Sequence, residues 1–384
     1  MNIPKPYLWL YTVILISCII SSCSKTQNTS LDSVFPLAAG GGDTLTLTGK
    51  NLALNGATPV IKLNDQPMTI IKSGPDELQV IVPKMAGSGK ITAIIGDKTY
   101  TCPDFTYKYK ATVSTLVGSG SFYCPWGITI DDNGDLYVAE CYGRSIKKVT
   151  SAGQVTTISL PVTIHGANFY SPNDITLDKS KHDLYVTDFN AHLLKIGSDM
   201  SMSVIYNGDM PTTGIALGAD GYLYMSNNTQ GVIYQMNTDG SNVKTFASGI
   251  RTPRNIIFDQ SNNMYVAGYA EANSAAAIFK VDKKGTPSIW LEDQAFGGWE
   301  IAIDKAGNFY EADHFHNVIR MIEKNGKSTI IAGNGNPADV DGVGVQASLN
   351  GPQGLAIDAD GNLYVSTYNY TTGAGNEIRK IVIE

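Results

Sequence analysis

The sequence predicts an all-β, two-domain chain: a small β-sandwich followed by a closed, six-bladed β-propeller. Three observations carry this. The composition favours strands and turns, with 20 Tyr, 39 Gly and 16 Pro among 384 residues. Residues 31–109 alternate apolar and polar positions in short runs. From residue 111 onward a single motif recurs six times. Apolar residues make up 43% of the chain and charged ones 16%, too hydrophobic a balance for disorder. The net charge of −7, with no Lys/Arg run, argues against a nucleic-acid partner.

At the N-terminus Lys5 precedes an apolar run from Tyr7 to Ile20, short for a bilayer span and suited to a signal-peptide core. The Ile20-Ser21-Ser22-Cys23 that follows resembles the lipobox of bacterial lipoproteins. That resemblance implies a signal peptide over 1–22, lipid on Cys23 and a polar tether over 23–30. Leu15-Ile16-Ser17-Cys18 is a rival match, but cleavage there would leave Ile19 and Ile20 exposed. A plain secretory signal is the blander alternative. Some related lipoproteins of the Bacteroidetes carry an acidic run after the lipidated cysteine that marks export to the cell surface. Ser24-Lys25-Thr26-Gln27 lacks it, so an outer-membrane anchor is expected with its membrane face left open.

With Cys18 and Cys23 set aside, Cys102, Cys124 and Cys141 remain in a compartment where disulfides persist. Cys124 and Cys141 flank a strand-turn-strand unit that reverses at Asp132-Asn133-Gly134. That sets them nearly opposite on an antiparallel pair, within disulfide reach. Cys102 is left as a small core hydrophobe.

The sandwich expectation rests on Thr44-Leu45-Thr46-Leu47-Thr48, Val60-Ile61-Lys62-Leu63, Leu78-Gln79-Val80-Ile81-Val82 and Ile91-Thr92-Ala93-Ile94-Ile95, separated by Gly- and Asn-rich breaks. The turn Gly40-Gly41-Gly42-Asp43, Leu47-Thr48-Gly49-Lys50-Asn51-Leu52, Val82-Pro83, Gly89-Lys90-Ile91 and the closing Phe105-Thr106-Tyr107 together resemble an IPT/TIG domain, an immunoglobulin-like module. The resemblance covers 31–109 and implies a spacer or binding unit without chemistry of its own.

The propeller repeat reads Pro-x-Gly-Ile-Ala-Ile-Asp-x-x-Gly-x-Leu-Tyr-Val-x-Asp, then a second alternating strand pair. Its tyrosine falls at Tyr137, Tyr185, Tyr224, Tyr265, Tyr310 and Tyr364, a spacing of roughly 40 to 55 residues that suits four-stranded blades. The pattern resembles the NHL repeat over 111–384, with Ala332-Gly333-Asn334-Gly335 and Asp341-Gly342-Val343-Gly344 as an insertion of that family's kind. Because the sixth copy ends after its third strand, residues 112–117 are expected to supply the fourth and close the ring without a free edge. Most repeated residues have structural work: Gly in the turn, Leu and Tyr between blades, Asp on the turn amides.

Candidate functional residues therefore lie where the blades' innermost strands begin. The dipeptide after the repeat's Pro supplies Trp126, Asn173, Arg254, Trp299 and Gln353, and residues just after the second strands include Tyr142 and Tyr368. Aromatics beside amides and an arginine suit a sugar, stacking on its apolar faces and holding its hydroxyls. The structural alternative is that the two tryptophans plug the channel. Sandwich-plus-propeller lipoproteins of this kind resemble outer-membrane nutrient-capture proteins that work beside glycan transporters. The expected function is thus non-catalytic capture of a glycan by an envelope protein, with no resident cofactor, possible partnership with an outer-membrane transporter, and membrane contact through the lipid alone.

Two rival readings follow from the same residues. Asp174, Asn255 and Glu300 could gather a divalent cation such as calcium through oxygen ligands. A Glu, Asn and Asp ring of this kind resembles that of six-bladed gluconolactonase-type enzymes, and related propellers include antibiotic-opening and amidating lyases. His165, His192, His314 and His316 could serve as base or ligand. Against this, Gly fills the matching position in the other three blades, and the histidines follow no metal-ligand spacing. The other rival is a protein-interaction platform using an exposed aromatic patch.

Overall fold

The computed structural model describes residues 28–53, 58–161, 163, 169, 171–208, 212–270, 276–293, 297 and 300–384. Cys18, Cys23, His165 and Trp299 lie outside these residues.

The alternating runs of the first domain place every second side chain on one face, and two sheets bury those faces against each other. One sheet orders Ser30–Phe35, Thr44–Lys50, Glu77–Ile81 and Thr69–Ser73; the other orders Ala38–Ala39, Lys98–Tyr107, Gly89–Ile95, Val60–Leu63 and Gln66–Pro67. Leu45 pairs with Val80 and Leu47 with Leu78, and these meet Ile61, Leu63, Ile91, Ala93 and Phe105 in one core. Cys102 is a free, buried member of that core, and burial pushes its thiol up to about 11.

Six sheets follow, five of them four-stranded and the last five-stranded, because Gly342–Val343 of the insertion adds a short edge strand. In blades one, five and six, the Asp-x-x-Gly hairpin works as its residue types dictate. Asp304 Oδ1 accepts the amides of Ala306 and Asn308 (both 2.8 Å), and its Oδ2 accepts the Tyr310 hydroxyl (3.0 Å). Gly307 supplies the left-handed turn residue at φ 87°. Blade one consists of Pro125–Ile130, Leu136–Glu140, Ser145–Val149 and Val155–Ser159; blade two begins at Pro172–Asp178, blade three at Ile215–Leu217, blade four at Ile256–Phe258, blade five at Glu300–Ile303 and blade six at Pro352–Ile357. A separate apolar cluster fills each of the six junctions between neighbouring blades, including the one from blade six back to blade one. The sheets form a complete ring.

Blade six borrows its fourth strand from the start of the domain. Ala111–Val117 pairs antiparallel with Gly375–Ile383, Ala111 opposite Ile383 and Val113 opposite Ile381. Arg379 on the latter strand is fully buried. It binds Asp339 (3.1 Å) and Asp341 (2.6 Å) of the insertion between blades five and six, and Asp341 also accepts the Thr115 hydroxyl (2.9 Å). One guanidinium thus pins the insertion, the last strand and the first. The joint to the sandwich lies at the same place. Lys110 and Glu384 exchange backbone hydrogen bonds (2.9 Å each), and Lys84 of the sandwich meets the Glu384 carboxylate at 3.1 Å.

Val113 is 1% exposed within the blade five to blade six core, so Val113→Asp would bury an unpaired charge at the ring closure. The expected loss is about 3 kcal/mol or more, read as a lowered urea midpoint for the propeller. A change within 0.5 kcal/mol would show that the ring does not depend on this strand.

Candidate functional site

The channel through the ring has two chambers. On the face where the innermost strands begin is a cavity of about 230 Å³; on the opposite face a funnel of about 300 Å³ is lined by Ile130, Leu217, Phe258 and Ile357 together with Thr129, Thr176 and Lys179. Asp174, Asn255 and Glu300 line both and form the waist between them.

At the waist Asn255 and Glu300 bond to each other, and Asp174 bonds to the backbone. Asn255 Nδ2 donates to Glu300 Oε1 (2.7 Å), while Asn255 Oδ1 accepts the Ile301 amide (3.3 Å). The Asp174 carboxylate accepts the amides of Ile175 (2.8 Å) and of Ile215 in the next blade (2.9 Å). The oxygen that Asn255 would lend a cation is turned to a peptide N–H, and its amide nitrogen faces the carboxylate beside it. The set therefore fits a cross-brace between blades better than a cation cage. Gly fills the matching position elsewhere for a packing reason: a β-carbon on Gly214 would strike the Arg254 carbonyl, and one on Gly354 the Trp126 carbonyl.

Burial pushes Asp174 up to about 7, against the pull of the Ile215 and Ile175 amides. Burial, then the neighbouring Asp174, holds Glu300 well above the carboxylate range, with Arg254 opposing.

Above the waist the cup has two unlike halves. One is aromatic. Trp126 and Phe189 line the cavity there, and ring contacts continue beyond the lining, from Phe189 to Trp126 (5.5 Å between centroids), Tyr370 (5.4 Å), Tyr368 (5.4 Å) and Tyr142 (6.2 Å). A branch passes from Tyr370 to His314 (4.8 Å) and Phe315 (5.4 Å). This arc spans blades five, six, one and two. The other half is polar: Asn173, Thr213, Asn228 and Arg254 line the cavity from blades two to four. Asn173 is 2% exposed; its Nδ2 donates to the carbonyls of Thr212 and Thr213, and its Oδ1 has no partner among the described residues.

Hydroxyls on the second strands hold the cup in place. Ser366 Oγ accepts the Gly354 amide (2.9 Å) and donates to the Trp126 carbonyl (2.6 Å). Ser226 Oγ repeats this between blades three and four, accepting the Gly214 amide (2.7 Å) and donating to the Arg254 carbonyl (2.5 Å). Beneath Trp126 and Tyr368 lies the Cys124–Cys141 disulfide, with its Cα atoms 5.3 Å apart.

Of the sequence-derived ligand set, Trp126, Asn173 and Arg254 line the cavity. Gln353 and Tyr368 do not. Gln353 is 1% exposed and acts as a strut: its Nε2 donates to His314 Nδ1 (2.7 Å) and the Tyr368 carbonyl (3.1 Å), and its Oε1 accepts the Tyr370 hydroxyl (3.2 Å). Tyr368 is buried on the disulfide. Tyr142 stands at the rim, 63% exposed. The acids and amides after the second strands turn back on loop amides, as Asp188 does to Asn190 and His192 and Asn227 to Thr229 and Gln230. His192 and His316 are hydrogen-bonded to Asp188 and Asp313, and burial lowers the pKa of His314. Among the described residues no group of three His, Cys, Asp or Glu is placed to hold a metal. Sequence reasoning missed Tyr370, although the Tyr368-Asn369-Tyr370 run after a second strand was a usable signal. It also missed Ser226 and Ser366, which sit on buried strand positions.

Residues 30–107 match the IPT/TIG domain and residues 122–148 the NHL repeat. The chain is 33% identical over 84 residues to a probable peptidyl-alpha-hydroxyglycine alpha-amidating lyase of Caenorhabditis elegans; that stretch is 20% of this chain, and it spans only 24% of that relative's length. A structural genomics protein of unknown function from Bacteroides thetaiotaomicron is similar at a TM-score of 0.61 and 18% identity, over 94% of this chain and 99% of its own. An auxiliary nutrient binding protein from the same organism is similar at a TM-score of 0.57 and 17% identity, over 94% and 98%. At these identities the likeness is one of fold: an all-β chain joining an IPT/TIG sandwich to a propeller with an NHL repeat.

Two outcomes test this geometry. Both waist carboxyls ionise near 4 in an unfolded chain and higher in the fold, so above that pH the native state holds more protons and stability falls as pH rises, completely for Asp174 only above about 7. Glu300→Gln should raise the urea midpoint at pH 8 by the equivalent of about 1 kcal/mol or more and leave it unchanged at pH 4. A pH-independent effect would contradict the assignment. Separately, Cys124→Ala/Cys141→Ala releases a cross-link between positions 17 apart and should lower stability by about 3 kcal/mol, measured against the oxidised parent in urea.

Proposed function

We propose that this chain is a non-catalytic binding protein of the cell envelope that holds a glycan in the cup at the propeller mouth. The single observation behind this reading is the division of the cup into the aromatic Trp126 and Phe189 on one side and amides, a hydroxyl and an arginine on the other. A pyranose has that same division between its apolar faces and its equatorial hydroxyls. The solved relative named as an auxiliary nutrient binding protein supports the reading through its architecture. The lipid on Cys23, an outer-membrane position and work beside a transporter belong to the same proposal.

The metal-dependent lyase or lactonase reading is the weaker one, because the waist residues satisfy each other and the backbone. The test is a thermal-shift screen of residues 24–384 against polysaccharides and oligosaccharides, with EDTA and with added calcium or zinc. A ligand that binds only the native state raises the melting temperature with the logarithm of its concentration. A rise from one glycan class that EDTA leaves intact supports capture. A fall with EDTA and no glycan response moves the assignment to the metal enzyme. Trp126→Ala should weaken glycan binding at least tenfold, about 1.4 kcal/mol, while costing the half-exposed position no more than about 2 kcal/mol of stability. A larger stability loss would make Trp126 a channel plug.

A further inference from the structure

The shape of the cup says how a chain-like ligand enters it. At about 230 Å³ the cavity is smaller than the roughly 300–1,000 Å³ pockets that enclose drug-sized ligands, so it holds one ring and not a run of them. Its floor is shut. Asn255 and Glu300 are bonded to each other, and Asp174 is bonded across to the next blade. A polymer therefore cannot thread through the ring. Its lining comes from five of the six blades, Trp126 and Phe189 on blades one and two, Thr213 and Arg254 at the starts of blades three and four and Glu300 on blade five, so a cavity of this size leaves no room for both neighbours of an inserted internal ring. Asn173 lines the cavity, and its buried Oδ1, without a partner among the described residues, calls for a hydrogen-bond donor. Outside the cavity, Tyr142 at one end of the aromatic arc and Phe315 at the end of its branch stand 63% and 62% exposed.

We infer that the site captures glycans end-on: the terminal sugar alone occupies the cup, its free hydroxyls meet Asn173 and the polar wall, and the next units rest on the aromatic rim. This rests on the glycan reading above and adds which part of the chain is recognised. It makes the protein a counter of chain ends, suited to the oligosaccharide products of a depolymerising enzyme more than to intact polymer.

The experiment follows Trp126 fluorescence and melting temperature while the protein is titrated with starch, inulin, xylan, pectin and dextran. Each is tested intact and after limited endo-hydrolysis at constant mass. If end-on capture is right, apparent affinity per unit mass for the recognised glycan rises in proportion to chain ends, about tenfold for a tenfold increase in ends. A cyclic oligomer of the same linkage then fails to bind where its linear counterpart binds. Equal binding by mass before and after hydrolysis, or binding of the cyclic form, would overturn end-on recognition and leave glycan capture standing. No response to any polysaccharide or hydrolysate would remove the glycan reading itself, and this inference with it.

Discussion

The pairing of Ala111–Val117 with Gly375–Ile383 is the contact on which the rest of the propeller depends. A blade has two faces to bury, and only a closed ring gives every blade two neighbours. Here closure joins residues at opposite ends of the domain, and the buried Arg379 fastens it by binding Asp339 and Asp341 while Asp341 holds Thr115. The aromatic arc crosses this blade, because Tyr368 and Tyr370 belong to it while Trp126 belongs to the next. The seam of the ring thus carries the aromatics that pack against Trp126, which itself lines the cup.

The repeat and the site make opposite demands on the same positions. Where inner strands approach closely, the residue at their start is Gly, as at Gly214 and Gly354, and the neighbouring blade's carbonyl takes the space. Where a side chain is allowed, it braces the ring: Asp174 reaches the next blade's amide, and Glu300 and Asn255 hold each other. Recognition is left to the residue beside it and to loops after the second strands, which the ring does not constrain. That division explains why Trp126, Asn173 and Arg254 face the cavity while Asp188 and Asn227 are occupied with their own loops.

The architecture was legible in the sequence because its signals are periodic. Leu45, Leu47, Leu78 and Val80 alternate inward along their strands, and the Asp-x-x-Gly turn repeats with its tyrosine. The site was legible only in part. A position in the repeat places a residue near the mouth but does not say which way its side chain faces. Gln353 occupies the expected position, yet it turns sideways to carry His314 and Tyr370. Tyr370 lies beyond the repeat, in a loop whose path no spacing rule fixes. Ser226 and Ser366 look like ordinary strand residues until two blades are set side by side, when each hydroxyl is found bridging them.

The ring's two ends and its joint to the sandwich share one spot, where Lys110 and Glu384 exchange backbone hydrogen bonds and Glu384 meets Lys84. Traction arriving through the N-terminal side would enter the propeller at its own fastening. The first contacts to feel it are that backbone pair and the Lys84–Glu384 bridge. The polar wall of the cup, carried by Asn173, Thr213 and Arg254 in blades two to four, lies away from this path.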